Sequence, residues 1–458
     1  MIIPNIITTQ PTTYGHLIKF VYAIIISITF RNNQYNMNDK SKLQTPRGTF
    51  DILPPNSYTW RHVQNTLSNT AELFGYAPIS TPIIEDSKLF IRGVGESTDI
   101  VEKETYTFED RGGDFISLRP EGTAPICRAY LQNGMHNLPQ PIRLYYAGPF
   151  FRYDRPQAGR YRQLHQFGSE LIGDPSSSSD AEIIQLSWSI LKSLGIKNIK
   201  LLINSIGDSN CRENYVGELI KYLNGHKESL SHTDCVKRLK TNPLRILDCK
   251  ESSCKNVTQK APTSIESLCA ECLTHWNQTK SLLDTLSIEY VVDTTLVRGL
   301  DYYTRTVFEI VPDIAGQQNT LAAGGRYDGL IEQLGGAPTP AIGFAIGIER
   351  TIEIMQSQEI LDTPSIRRKL TIAHIGEESF QYAMQLAGIF RDQSIMTIVA
   401  PRNRSLKSQL RFANSLSSSH VIIIGESELN NQTLLLRDLN SKQQYEVDTP
   451  TAIDKISN

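Results

Sequence analysis

The chain has 458 residues, 21% of them charged, and a formal net charge of -2. That length exceeds what one hydrophobic core fills and points to about three domains. The near-neutral balance excludes nucleic-acid binding through a global positive field, so any such contact must come from local basic patches.

The N-terminal segment stands apart. Residues 20–30, FVYAIIISITF, form an uncharged apolar run between Lys19 and Arg31, and no acidic residue occurs before Asp39. The run is too short to span a bilayer. Its length suits a signal-peptide hydrophobic region and its lack of acids suits an organellar presequence. The plainer reading makes Met37 the effective start and leaves 1–36 unstructured. We expect residues 1–41 to be an extension, disordered or cleaved, and favour a cytoplasmic protein with no membrane partner over organellar targeting.

From Pro46 the pattern is coherent. TPRGTFDILPP leads into a helix predicted over Tyr58 to Phe74, and FGYAPISTPIIED follows as a turn and an extended segment whose prolines suit an edge or interface strand. Strands are predicted at 115–119, 142–152 and 164–173. A helix follows, with Asp180 at the end of a serine run as its expected N-cap. Strands joined by turns, with few helices between them, predict an α+β core over 42–205, an antiparallel sheet carrying helices on one side. Residues 206–290 change character, rich in Lys, Asn and Ser with helical periodicity, and read as a mainly helical insertion. Of the seven cysteines, Cys127 and Cys211 stand alone, and the other five cluster from Cys235 to Cys272. C-x4-C at Cys249 and Cys254 with C-x2-C at Cys269 and Cys272 allows four thiolates to converge on zinc; the alternative is reduced thiols in a helical core, and no metal site is assigned.

The core resumes over 291–360. In LVRGLDYYTRTVFEI, residues 296–310, the second half alternates as a strand does, Thr304, Thr306, Phe308 and Ile310 against Tyr303, Arg305, Val307 and Glu309. The first half packs Arg298, Gly299, Asp301, Tyr302 and Tyr303 together, which is costly in a buried place unless something anionic or polar meets them. AAGGRYDGL (322–330) and AIGFAIGIERTIEIM (341–355), a strand running into a helix, complete this part. Residues 370–458 alternate strand and helix as a small α/β domain with a mainly parallel sheet.

Four polar islands sit in sheet-like contexts: LRPEGTAP (118–125), FFRYDRPQAGRYRQLHQFGSE (150–170), RGLDYY (298–303) and GIER (347–350). Singly, each has a plain explanation. Arg152 or Arg350 on a surface forms salt bridges worth about 0–1 kcal/mol, Glu121 and Glu170 can be solvated, and Tyr302 and Tyr303 can sit at a core edge. Together they suit a triphosphate, held by arginine forks that match phosphate oxygens, beside a small substrate bearing N–H groups that carboxylates can receive.

These stretches resemble the histidyl-tRNA synthetases, a family of class II aminoacyl-tRNA synthetases. FRYDRPQAGRYRQLHQFGSE is similar to the class motif 2, AIGFAIGIER to motif 3 and GYAPISTPIIED to the dimer-forming motif 1. RGLDYY and GGRYDGL resemble signatures of the histidine enzymes. The resemblance runs from about Lys42 to the end and implies a catalytic domain, an insertion and a C-terminal anticodon-binding domain. It also implies ATP and Mg2+, L-histidine and its tRNA as partners, and a homodimer. By the same resemblance, Arg152 and Arg298 would act on the α-phosphate and Arg350 would stack on adenine and reach the γ-phosphate. Glu121, Gly122 and Thr123 of the EGT turn, with Gln166, would receive the α-ammonium of histidine. Glu170 and Tyr303 would meet the imidazole nitrogens, with Tyr302 completing the wall. Arg155 and Gln157 would meet the tRNA acceptor end, and an adenylate phosphate oxygen would serve as base in the second step. Arg402, Arg404, Lys407 and Arg411 offer a basic patch in the C-terminal domain, although a solvated helix face reads the same way.

Two positions depart from the family pattern. Leu164 stands where the adenine platform is usually Phe, which removes aromatic stacking and is expected to weaken ATP binding, and Asp154 stands where class II enzymes commonly carry Glu. Two other classes remain as alternatives. A catalytically dead relative, the regulatory subunit of a short ATP phosphoribosyltransferase, shares the core but lacks the C-terminal domain. An RNA-sensing module of a larger kinase would require a kinase signature, which this chain does not contain.

Overall fold

The computed structural model describes residues 43–457 except 96, 97, 99, 155–159, 250, 314–319 and 361–368. The apolar run at 20–30 and all of the expected extension over 1–41 lie outside the described residues, and the chain divides after Phe50. Among the described residues no helix is long and apolar enough to cross a membrane.

Helix α1 (Asn56–Leu73) forms because Trp60, Val63, Leu67 and Ala71 fall on one face and are all buried. There follow β1 (Ala77–Pro78), β2 (Ile84–Asp86), α2 (Ser87–Val94), β3 (Thr107–Glu109), β4 (Phe115–Leu118) and α3 (Thr123–Gln132). Next come β5 (Ile142–Phe151), β6 (Gln163–Ile172), α4 (Ser177–Ser193) and β7 (Ile199–Ser205). The stretch between β7 and β8 (Tyr290–Val292) carries α5 (Ser209–Gly225), α6 (Thr233–Thr241), α7 (Ser252–Thr258) and α8 (Ala270–Thr285). Then come β9 (Thr304–Pro312), β10 (Ala322–Arg326), α9 (Leu330–Gln333), β11 (Ala341–Gly347) and α10 (Ile348–Ser357).

These strands build an eight-stranded sheet in the order β1-β5-β6-β11-β10-β9-β7-β8. Its interior is antiparallel, while β1 on β5 and β8 on β7 run parallel at the two edges. The proline-bearing segment lies at an edge, as its missing N–H groups require. A separate sheet, β2-β4-β3, stands beside it. One face of the large sheet is covered by α1, α4, α8 and α10 over Phe167, Ile203, Phe308, Ile310, Phe344 and Ile346. The other face, expected to be free of helices, also carries cover: α2, α3, α9 and the β7–β8 stretch pack there around Tyr146, Val307 and Tyr303.

Two expectations need correction. Asp180 is not an N-cap: α4 starts at Ser177 with Ser176 in the N-cap position, and Asp180 lies in the first turn, fully buried in an ion pair with Arg326. The alternation in β9 breaks at Arg305, whose φ of 48° lies in the left-handed region; the pairing shifts there, with Val307 opposite Gly325 and Thr304 opposite Arg326. Of the two readings left open for the cysteines, convergence of Cys249, Cys254, Cys269 and Cys272 on one point is not what the fold shows. Cys269 and Cys272 gather with Asp208 and Cys211, whereas Cys249 gathers with His232 and Cys235.

The C-terminal part contains β12 (Lys369–His374), α11 (Glu377–Asp392), β13 (Met396–Val399), α12 (Leu406–Ser415), β14 (His420–Ile424), α13 (Glu426–Asn431), β15 (Leu434–Asp438), β16 (Gln444–Val447) and α14 (Thr449–Ser457). Its sheet runs β13-β12-β14-β15-β16, parallel over the first three strands and antiparallel over the last two.

Candidate active site

Period two places Leu164, Gln166, Gly168 and Glu170 of β6 on the face opposite Phe167, and the β5 register sets Tyr146 against Gly168. Tyr146 crosses between two glycines. A Cβ on Gly168 or on Gly122 would fall 2.3 Å from its ring, so neither position accepts a larger residue. Gly343 of β11 pairs with Glu170, and a Cβ there would come 1.7 Å from Oε2 of the carboxyl group. The sheet is thus hollowed by missing side chains where the polar groups collect.

Glu170 is 1% exposed. Its Oε1 accepts from the Thr123 hydroxyl at 2.8 Å and its Oε2 from the Tyr327 hydroxyl at 2.5 Å. Burial pushes its pKa up to about 8, even though these hydrogen bonds pull it down. Glu121 spans the start of α3, accepting from Thr123 N at 2.7 Å and Ala124 N at 2.9 Å, so the EGT turn is a helix N-terminus with its own carboxylate. Burial raises Glu121, and those two amides and Arg152 oppose the rise. Tyr302 and Tyr303 close the wall with ring centroids 4.7 Å apart, and Tyr302 meets Tyr327 edge-on at 5.7 Å. Burial raises both phenols well into the neutral form. Gln166 lies half-buried on the same face, and Gly122 serves as the clearance for Tyr146.

The cations lie beside this pocket. Arg298 pairs with Glu309 of β9 and lies 5.7 Å from the Tyr303 ring centre. Burial works against its charge and Tyr303 and Glu309 more than restore it. The other oxygen of Glu309 accepts from the Thr320 hydroxyl at 2.8 Å, and Arg350, in the first turn of α10, donates to the Thr320 carbonyl at 3.3 Å. Arg152 donates from Nε to the Pro120 carbonyl at 2.9 Å, which holds it at the EGT turn. Burial lowers Arg350, and the nearby charges of Arg160 and Arg152 lower it further. Arg152, Arg160 and Arg350 lie close enough for each other's charge to act on Arg350, an arrangement that suits an anionic ligand.

Leu164 is half-buried against the pocket-side core, while Phe167 faces the opposite core, so no aromatic ring of β6 replaces the missing platform. Asp154 reaches Arg160 at 3.3 Å. Arg155 and Gln157 lie outside the described residues. Three residues of this site were not assigned from the sequence: Tyr146, Tyr327 and Glu309. A carboxylate within the apolar run VFEIV was the available signal for Glu309, and Tyr327 sits inside GGRYDGL, where only the glycines were read.

A profile described as histidyl-tRNA synthetase matches residues 48–351, and one described as anticodon binding domain matches 369–458. A histidine–tRNA ligase of Dehalococcoides mccartyi strain 195 is 49% identical over 401 residues, 88% of this chain and 96% of that protein. One from Acetivibrio thermocellus is 44% identical over 413 residues, 90% and 99% of the two chains. The crystal structure of apo S. aureus histidyl-tRNA synthetase superposes with a TM-score of 0.76 at 36% identity, covering 91% of this chain and 100% of that one.

Proposed function

The chain belongs to the histidyl-tRNA synthetase family, and on that footing we propose how its residues divide the work of a histidine–tRNA ligase. The enzyme activates L-histidine with ATP, giving histidyl-adenylate and pyrophosphate, and then passes histidine to the 3′ end of its tRNA. What supports the division is one juxtaposition: the arginines adjoin the carboxyl–phenol pocket, Arg298 at Tyr303 and Arg152 at the EGT turn.

In the first step the histidine carboxylate attacks the α-phosphorus, so two anions must approach. Arg152, anchored at the EGT turn, would hold the α-phosphate and the carboxylate, and Arg298 would face the same phosphate from the β9 side. Arg350 would stack on adenine and reach the γ-phosphate. Glu309, beside Arg298 and Thr320, supplies the oxygen chemistry a hard cation accepts, so the residues fit Mg2+. Bound there with the phosphates, Mg2+ would neutralise charge.

Glu121, Gly122, Thr123 and Gln166 would receive the α-ammonium. Glu170 and Tyr303 would pair the two imidazole nitrogens, and Tyr302 and Tyr327 would exclude water. A pocket built this way rejects an analogue without ring nitrogens by about 10⁴, because its own buried groups would lose their partners. In the second step Arg155 and Gln157 would position the tRNA end. Among the described residues no side chain is placed as the base, so an adenylate phosphate oxygen would fill that role and positioning would supply most of the rate.

The homodimer would form through the motif 1 region. Ile83, Ile84, Phe108 and Phe115 are 42–61% exposed there, an apolar surface left facing water that a second copy would cover. A cytoplasmic site suits seven cysteines free of disulfides.

Histidine-dependent exchange between ATP and pyrophosphate, followed by tRNA charging, tests the assignment. Folded protein that exchanges no label with histidine would refute it. Arg298→Ala should slow exchange by about 10²–10³; a near wild-type rate would remove Arg298 from the chemistry.

A further inference from the structure

Six of the seven cysteines belong to the stretch between β7 and β8, and the fold gathers five of them into two groups. In the first, two helix N-termini face each other with the same arrangement. Asp208 caps α5 and accepts from Cys211 N at 2.9 Å; Cys269 caps α8, and its Sγ accepts from Cys272 N at 3.4 Å. Each helix therefore offers one ligand at its cap and another three residues on. Cys269 N also donates to Cys211 Sγ at 3.1 Å.

The four ligand atoms lie within 4.8 Å of one another, with Cys272 Sγ and Cys269 Sγ at 3.3 and 3.8 Å from Asp208 Oδ2. Tetrahedral zinc with its usual Zn–S and Zn–O bonds holds its ligands about 3.3–3.8 Å apart. Three thiolates and a carboxylate bring more negative charge than the ion carries. The two helix N-termini and the N–H···S bonds offset the excess.

We propose that Asp208, Cys211, Cys269 and Cys272 bind one structural zinc ion. All four positions are filled by protein, which leaves no open position for catalysis. The ion would fasten α5 to α8 directly behind the pocket wall. Arg212 of α5 donates to the carbonyls of Asp301 and Tyr303, and Arg305 N donates to the Gly207 carbonyl at 2.7 Å. On α8, His275 reaches Asp180 at 3.2 Å.

A separate observation carries a second ion. His232 Nδ1 lies 3.6 Å from the Sγ atoms of both Cys235 and Cys249, and the three ligand atoms lie within 4.8 Å of one another. One imidazole and two thiols supply three zinc ligands, H-x2-C joined by Cys249, and leave the fourth position to a further group. Histidine would bind neutral and the thiols as thiolates, each releasing its proton to solvent on metal uptake.

Metal analysis of the full-length protein, loaded with zinc and then dialysed, decides both sites. Two zinc ions per chain are expected. Asp208→Asn keeps the helix cap while removing an anionic ligand, and should lose one ion; Asp208→Cys should keep it. Cys249→Ser should lose the other. Folded wild-type protein without tight zinc overturns both proposals. Two ions retained in Asp208→Asn overturn the first, and two retained in Cys249→Ser overturn the second. Should a variant fail to fold, cobalt in the unsubstituted chain gives the answer. Strong thiolate charge-transfer bands with intense tetrahedral d–d absorption are expected, and a weak octahedral spectrum overturns the assignment.

Discussion

Glu170 is a carboxyl group placed where ionisation is expensive. Burial raises it from 4.5 to about 8, so between these values the unfolded chain ionises first. Its contribution to stability is therefore complete below pH about 4.5 and is lost as pH rises through about 8. Glu170→Gln cannot ionise, and its stability relative to wild type should climb across that window, read from urea midpoints at a series of pH values. Parallel pH profiles for the two proteins would sink the argument. Glu170 was legible from sequence because motif 2 places it, and its even spacing from Gln166 puts both on one strand face. Tyr146 was not. Its place depends on Gly122 and Gly168, far apart in the chain, meeting around one ring through the β5–β6 register.

At the scale of elements, β10 and α4 are joined by a fully enclosed ion pair. Arg326 and Asp180 are both at 0% exposure, and Arg326 also donates to the carbonyls of Asp174 and Ser176 at 3.1 and 3.0 Å. Burial pushes Asp180 up, but Arg326 and His275 hold it down at about 2. Removing one partner leaves a charge without compensation, so Arg326→Met should cost about 3–5 kcal/mol in urea unfolding. Arg326→Met with Asp180→Leu should recover part of that loss. A single substitution that costs under about 1 kcal/mol would show the pair to be dispensable. An acidic residue after a serine run resembles a helix cap in sequence, and only the partner 146 residues away distinguishes the two. The grouping of the cysteines was out of reach for the same reason: spacing shows which thiols are near in sequence, whereas Cys269 and Cys272 meet Cys211, about 60 residues earlier, and Cys249 meets Cys235 and His232.

Across the whole molecule, the alternation of strand and helix at 370–458 was readable because each element keeps one period throughout, whereas the antiparallel strands β15 and β16 are only five and four residues long, and LLLRD shows no alternation in its sequence. On α12, Lys407 and Arg411 are four residues apart and exposed, while Arg402 is already paired with Glu377 at 2.5 Å. Lys407→Ala with Arg411→Ala should raise KM for tRNA and flatten its salt dependence by about one unit for each phosphate left without its cation. Histidine-dependent exchange should stay unchanged, since that reaction involves no tRNA. An unaltered salt slope would place the tRNA elsewhere.

The bulge at Arg305 has a consequence for anyone who would shorten or transplant this chain. Arg305 gives its N–H to Gly207 and takes one from Ile206 at 2.8 Å, so the strand that carries Tyr303 is knotted to the first residues after β7. Replacing the β7–β8 stretch by a short linker would remove Arg212 along with it and untie the carbonyls of Asp301 and Tyr303. A minimal version of the enzyme would therefore have to keep α5 even if every other helix of that stretch were discarded.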